Sequence, residues 1–294
     1  MIYIKKAETE QQVIDHFNDF KIGGVGLATQ TDEVIYHKYE KDWSQEYLTF
    51  TALESGTFKF SGATTGHTVK YSMDNGTNWQ TLARTATTPT VTAGNTIIWK
   101  QTGLTPNFGS GIGKFSSTGR FEARGNVMSL YYGDNFYGET NLSEKYCAFY
   151  MLFSGCTGLT TAENLSLPAT TLADYCYNGM FSGCTSLITA PELPATTLTG
   201  ECYGSMFSNC TSLTTAPELP ATTLANECYY GMFSGCSSLN YIKCLATNIS
   251  AAACTTDWVN GVSATGTFVK PASTDWSSKT GSNGIPSGWT VQDA

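Results

Sequence analysis

Leu193-Pro-Ala-Thr-Thr-Leu-Thr-Gly-Glu-Cys-Tyr-Gly-Ser-Met-Phe-Ser-Asn-Cys-Thr-Ser-Leu-Thr-Thr-Ala-Pro-Glu218 is one unit of a repeat. Its opening phrase, Leu-Pro-Ala-Thr-Thr-Leu, begins at 167, 193 and 219, a constant step of 26 residues. Its middle phrase, Phe-Ser-Gly/Asn-Cys, ends at Cys156, Cys184, Cys210 and Cys236, in steps of 28, 26 and 26. The first step is longer because residues 161–167 hold two more residues than their counterparts 189–193. A period between about 20 and 50 residues marks stacked units that bury a shared core no single unit could bury alone.

Units this alike must present the same residue at the same place on each coil. The columns Phe181, Phe207, Phe233 (with Phe153), Met180, Met206, Met232 and Leu187, Leu213, Leu239 (with Leu159) are expected inside. So are two cysteine columns: Cys176, Cys202, Cys228 (with Cys254), and Cys184, Cys210, Cys236. Buried cysteine acts as a small hydrophobe. Coils about 5 Å apart would also allow bridges between neighbours, so free thiols and cross-coil disulfides both remain open. The Thr-Ala-Pro-Glu-Leu-Pro piece is extended, because each proline pushes its predecessor out of the helical region, and it is expected to supply a strand per coil.

Tyr177, Tyr203 and Tyr229 each follow a core cysteine directly, so their side chains are expected to point away from the interior. With Glu201 and Glu227 nearby in each unit, they form a candidate ligand-binding row that would stack on sugars or grip a basic protein surface. The alternative is that the rings only cover the neighbouring coil. No Lys or Arg occurs between Lys145 and Lys243, while Glu163, Asp174, Glu192, Glu201, Glu218 and Glu227 do. The repeat region is acidic, and its recurring carboxylates read as a solvated face.

Upstream of the repeats lie two shorter zones. Residues 1–44 read as a small α+β module: a strand at 2–5, an amphipathic helix over 8–20 and a hairpin about Thr31-Asp32. Residues 45–107 read as an Ig-like β-sandwich with strands at 47–53, 57–61, 68–73, 88–93 and 96–102. Within it, Ser72-Met-Asp-Asn-Gly-Thr-Asn-Trp79 resembles an Asp-box, a turn motif in which Asp74 accepts backbone N–H groups, Gly76 supplies a left-handed residue and Trp79 covers the hairpin. One copy points to a structural role. Residues 108–294 carry the repeats, with 113–130 as N-terminal cap and Trp258, Phe268, Trp276 and Trp289 closing the other end.

The string Met232-Phe-Ser-Gly-Cys-Ser-Ser-Leu239 and its sister copies resemble the core of BspA-like leucine-rich repeats, over about residues 125–250. That resemblance implies a mainly β chain ending in a leucine-rich-repeat solenoid that binds a partner, as in surface proteins of gut and oral bacteria. The sandwich and the closing Gly284-Ile-Pro-Ser-Gly-Trp-Thr290 look like parts that accompany such repeats in proteins of gut bacteria and their phages. The period is longer than the family's usual unit, and cysteine stands where that family often has isoleucine.

Composition narrows the function. The net charge of -8 disfavours nucleic acid, whose phosphates need clustered Lys and Arg. No run of roughly 18 apolar residues is present to span a bilayer. The residues behind Lys5 and Lys6 form no apolar leader core. His16, His37 and His67 all lie outside the repeats, no Cys-x-x-Cys occurs, and no nucleophile motif appears, so neither catalytic residues, a metal site nor a cofactor is expected.

Three readings follow. The first is a structural protein on a phage virion surface, a fibre or decoration protein, anchored to other virion proteins through residues 1–44 and displaying the repeats for host adhesion. It would act on a host-surface glycan or protein, as a dimer or trimer. The others are a bacterial cell-surface adhesin and a carbohydrate-binding accessory module.

Overall fold

The computed structural model describes residues 42–61, 68–102, 111–279 and 281–294. The chain divides into two units, Met1–Asp42 and Trp43–Ala294. The helix and hairpin expected within 1–44, with His16, His37 and His67, lie outside the described residues.

The described chain is mainly β. Its largest sheet runs β4 (Gln80–Leu82), β3 (Thr68–Ser72), β5 (Thr96–Thr102), β1 (Leu48–Ala52), β7 (Phe121–Asn126) and β8 (Leu159–Thr161), with β9 (Leu165–Ser166) also on β7. A separate antiparallel ladder joins β2 (Phe58–Ser61) to β6 (Lys114–Ser117). Alternation explains β1: Leu48, Phe50 and Ala52 are buried, and Phe50 sits among Phe58, Trp99, Phe115 and Phe121 with ring centroids 4.8–5.5 Å away. No strand forms over 88–93. Pro89 has no N–H to give, so only isolated contacts remain: Thr88 N–H to Phe58 O at 2.8 Å and the Gly56–Val91 bridge.

In the 72–79 hairpin, Asp74 accepts the Ser72 hydroxyl at 2.6 Å and the Asn78 backbone N–H at 2.9 Å. These bonds hold its carboxyl down to about 2. The hairpin consumes the carboxylate internally, which is a structural use of the motif.

The seam expected at 107/108 does not divide the structure. Strands β6 and β7 lie beyond it yet complete the sheets, and β7 pairs in parallel with β8 and β9, the first extended pieces of the repeat region. Sheet and repeats therefore belong to one compact unit, Trp43–Ala294. The β2–β6 ladder also reaches the coils: Phe115 of β6 stacks on Phe153 at 5.6 Å.

Each coil contains a run of tight turns in which backbone donors alternate between two destinations. The N–H groups of Cys176, Asn178, Met180, Ser182 and Cys184 return to carbonyls three residues back, whereas those of Tyr175, Tyr177, Gly179, Phe181 and Gly183 bond to Gly200, Cys202, Gly204, Met206 and Ser208 of the next coil, all within 2.7–3.3 Å. Every fourth residue is left-handed: Tyr175 (φ 60°), Gly179 (63°) and Gly183 (75°), then Glu201, Ser205 and Asn209. That requirement explains the Gly/Asn alternation in the Phe-Ser-Gly/Asn-Cys phrase, since Gly and Asn tolerate φ near +60° best.

This four-residue rhythm sends side chains inward in adjacent pairs. Cys176 with Tyr177 and Met180 with Phe181 are all fully buried, and Cys184 follows. Phe153, Phe181, Phe207 and Phe233 form a single file with centroids 5.4–5.8 Å apart and planes within 7° of parallel. A second file runs Phe149, Tyr177, Tyr203, Tyr229 at 5.6–6.3 Å. Both reach Trp258, which sits 26 residues after Met232; the smaller Thr255 and Val259 stand in the Tyr and Phe columns there. Trp276 stacks on Trp258 at 5.5 Å and, with the buried Phe268 and Trp289, closes this end.

The Thr-Ala-Pro-Glu-Leu-Pro pieces do not become strands. They make only isolated parallel bridges, such as Thr189 with Thr161 and Thr215 with Tyr241, because each proline removes a ladder donor. Where Lys243 replaces Pro217 one period on, a strand does form: β10 (Tyr241–Lys243) pairs in parallel with β11 (Thr267–Lys270), and β11 with β12 (Thr290–Asp293).

All ten cysteines are free. The thiols of Cys184, Cys210 and Cys236 donate to the carbonyls of Phe153, Phe181 and Phe207, one coil back, at 3.0–3.1 Å. Burial raises the thiols of Cys176, Cys236 and Cys244 to about 12, so they stay protonated and unreactive at neutral pH.

Two outcomes follow from this core. Phe207→Ala opens a gap in the middle of a ring file and is expected to cost about 3–5 kcal/mol in urea unfolding, against under about 1.5 kcal/mol for the volume-conserving Met206→Leu. Alkylation of the native protein, read by mass, is expected to reach only the half-buried Cys147, with all ten thiols reacting once the chain is unfolded.

Candidate functional site

The row of tyrosines expected outside is inside. Tyr177, Tyr203 and Tyr229 are at most 1% exposed. Strict alternation after a core cysteine does not apply here, because a left-handed residue every four positions turns two consecutive side chains inward. These rings stack on one another and are not available to a ligand. Glu201 and Glu227 are half-buried at the surface of adjacent coils.

Two other tyrosines take the outer positions. Tyr175 and Tyr230 are 39% and 42% exposed. Tyr175, Glu201 and Glu227 occupy the same place in successive units and share left-handed backbone, with φ of 60°, 48° and 55°. Tyr230 flanks them one residue after the buried Tyr229. The sequence does hold the missing signal: glycines at 179, 183, 231 and 235 are spaced by four and mark the left-handed positions whose side chains leave the core.

Within this strip Asn178 Nδ2 donates to Glu201 Oε2 at 3.0 Å, and the Tyr175 hydroxyl faces the same carboxylate. Partial burial, followed by the neighbouring Glu227 carboxylate, raises the Glu201 pKa against the pull of Tyr175 and Asn178. The Glu201 carboxylate in turn raises that of the Tyr175 hydroxyl. Beside the strip, the coils are stitched by side chains: Asp174 Oδ1 accepts the Gly200 N–H at 2.8 Å, and Asn226 Oδ1 accepts the Ala252 N–H at 3.1 Å. The result is a firmly held surface with exposed ring faces beside hydrogen-bond acceptors, a combination that suits sugars or basic protein surfaces.

Among the described residues no group of three or more His, Cys, Asp or Glu is placed to hold a metal ion. No helix there is long and apolar enough to cross a membrane. Compared with known proteins, the chain matches no family model, no curated protein and no solved structure. The fold and strip define a mainly β protein that displays side chains from stacked, repeated coils.

A carboxyl group whose pKa is raised by folding loses stability as pH climbs through and above its ordinary value, here 4.5. Glu201→Gln removes that loss. Its melting temperature is expected to lie above that of the unsubstituted protein at pH 7, with the difference closing below pH 4.5.

Proposed function

We propose that this chain is a non-catalytic recognition protein, its coils a leucine-rich-repeat solenoid of the BspA-like kind behind an Ig-like sandwich. It serves on the surface of a phage virion, where residues 1–44 join it to other virion proteins and the coils engage a glycan or protein of the host. The observation that carries this reading is the strip Tyr175–Glu201–Glu227–Tyr230: exposed rings and carboxylates fixed on a backbone hydrogen-bonded from coil to coil. Rigid placement lowers the ordering cost of binding.

The thiols favour a virion component over an exported adhesin. Ten free cysteines, nine of them buried, fit a protein that folds and assembles in a reducing compartment. An exported chain would pass those thiols through an oxidising one. The BspA-like resemblance of the repeats fits either setting.

Mass spectrometry of purified phage particles is expected to find this chain in stoichiometric amount; recovery only from bacterial envelopes would replace the virion reading with the adhesin one. On a glycan array, or against intact host cells, Tyr175→Ala is expected to weaken binding at least roughly fivefold, within the range for losing an aromatic contact. Tyr203→Ala should instead lower stability, since its ring is buried.

A further inference from the structure

The extended pieces of the coils form a groove unconnected with the tyrosine strip in its chemistry. It holds a volume of 410 Å³ and is lined chiefly by Pro191, Pro194, Pro217 and Pro220, with Glu192 and Glu218. Proline has no N–H, so these walls offer carbonyl and carboxylate acceptors and few donors. The apolar rings between them suit a methylene stem.

The chain shows how a cation sits here. Lys243 reaches Glu218 with Nζ 2.8 Å from Oε2, and that bond raises the lysine's pKa. Lys243 follows Pro217 by one period, and Glu218 follows Glu192 by the same 26 residues. The counterpart of the Lys243–Glu218 pair one coil earlier is therefore Pro217 beside Glu192. Proline leaves that carboxylate without a cation from the repeat, and no ion pair to Glu192 forms among the described residues. The region has no Lys or Arg from 146 to 242, so apart from Lys243 on Glu218 a basic ligand meets carboxylates on approach.

We propose that this groove binds an extended, lysine- or arginine-bearing segment of a partner protein, with its cation on Glu192 as Lys243 sits on Glu218 and its stem along the proline rings. The proposal adds a second contact surface and does not depend on the strip at Tyr175.

A fluorescent peptide, Gly-Lys-Gly-Lys-Gly-Lys, tests it against the full chain, with Gly-Glu-Gly-Glu-Gly-Glu as control. Saturable binding of the lysine peptide alone is expected, weakened by 0.5 M salt and reduced roughly threefold by Glu192→Gln, the scale of one exposed ion pair. Lys243→Ala frees Glu218 and is expected to tighten binding by a similar factor, an effect that a loss of folding could not mimic. Tyr175→Ala should leave the affinity unchanged, which separates this groove from the tyrosine strip. Failure of the lysine peptide to bind, equal binding by Glu192→Gln, or dependence on Tyr175 would each overturn the proposal.

Discussion

The hydrogen bond from one coil to the next governs the rest of this structure. In each run of turns, half the backbone donors close a turn within the coil and half cross to the following one. That division is possible only if the chain reverses its twist at regular intervals, which the left-handed residue at every fourth position accomplishes. Buried backbone groups must be paired, so the turn rhythm and the stacking are one constraint seen from two directions.

Once coils are locked at that spacing, the aromatic columns have little freedom. Rings 5.4–5.8 Å apart and nearly parallel fill the Phe file, and two files converge on Trp258. At that point a large residue in the Met column is offset by Thr255 and Val259 in the aromatic columns, which keeps the interior filled where the repeat ends. At the other end, within the 113–130 segment expected to cap the coils, Phe115 of β6 continues the file and β7 continues the parallel pairing.

Interior and exterior positions obey different rules. The inward columns keep Cys, Tyr, Met, Phe and Cys through three successive coils, since any change of volume would disturb both neighbours. Outward positions are free of that demand and vary: the place held by Tyr175 is Glu201 and Glu227 in the next two coils, and that of Asn178 becomes Gly204 and Tyr230. The same freedom sets the proline groove, where the change from Pro217 to Lys243 turns an open wall into an ion pair. Differences between recognition surfaces are thus written in the residues that the packing does not fix.

By itself the sequence determined the period, the columns and the interior place of the Phe, Met and Cys residues, because identical residues at a constant step of 26 can be buried together only by stacking. It also carried the β1, β2, β3 and β5 strands, through apolar alternation between turn residues. Only the tertiary structure decided the direction of Tyr177, Tyr203 and Tyr229, the joining of sheet to coils across residue 107, and the absence of strands at the proline pieces. Side-chain direction depends on backbone twist, and pairing depends on which distant donors find acceptors; neither quantity is stored in the identity of a single residue or its spacing.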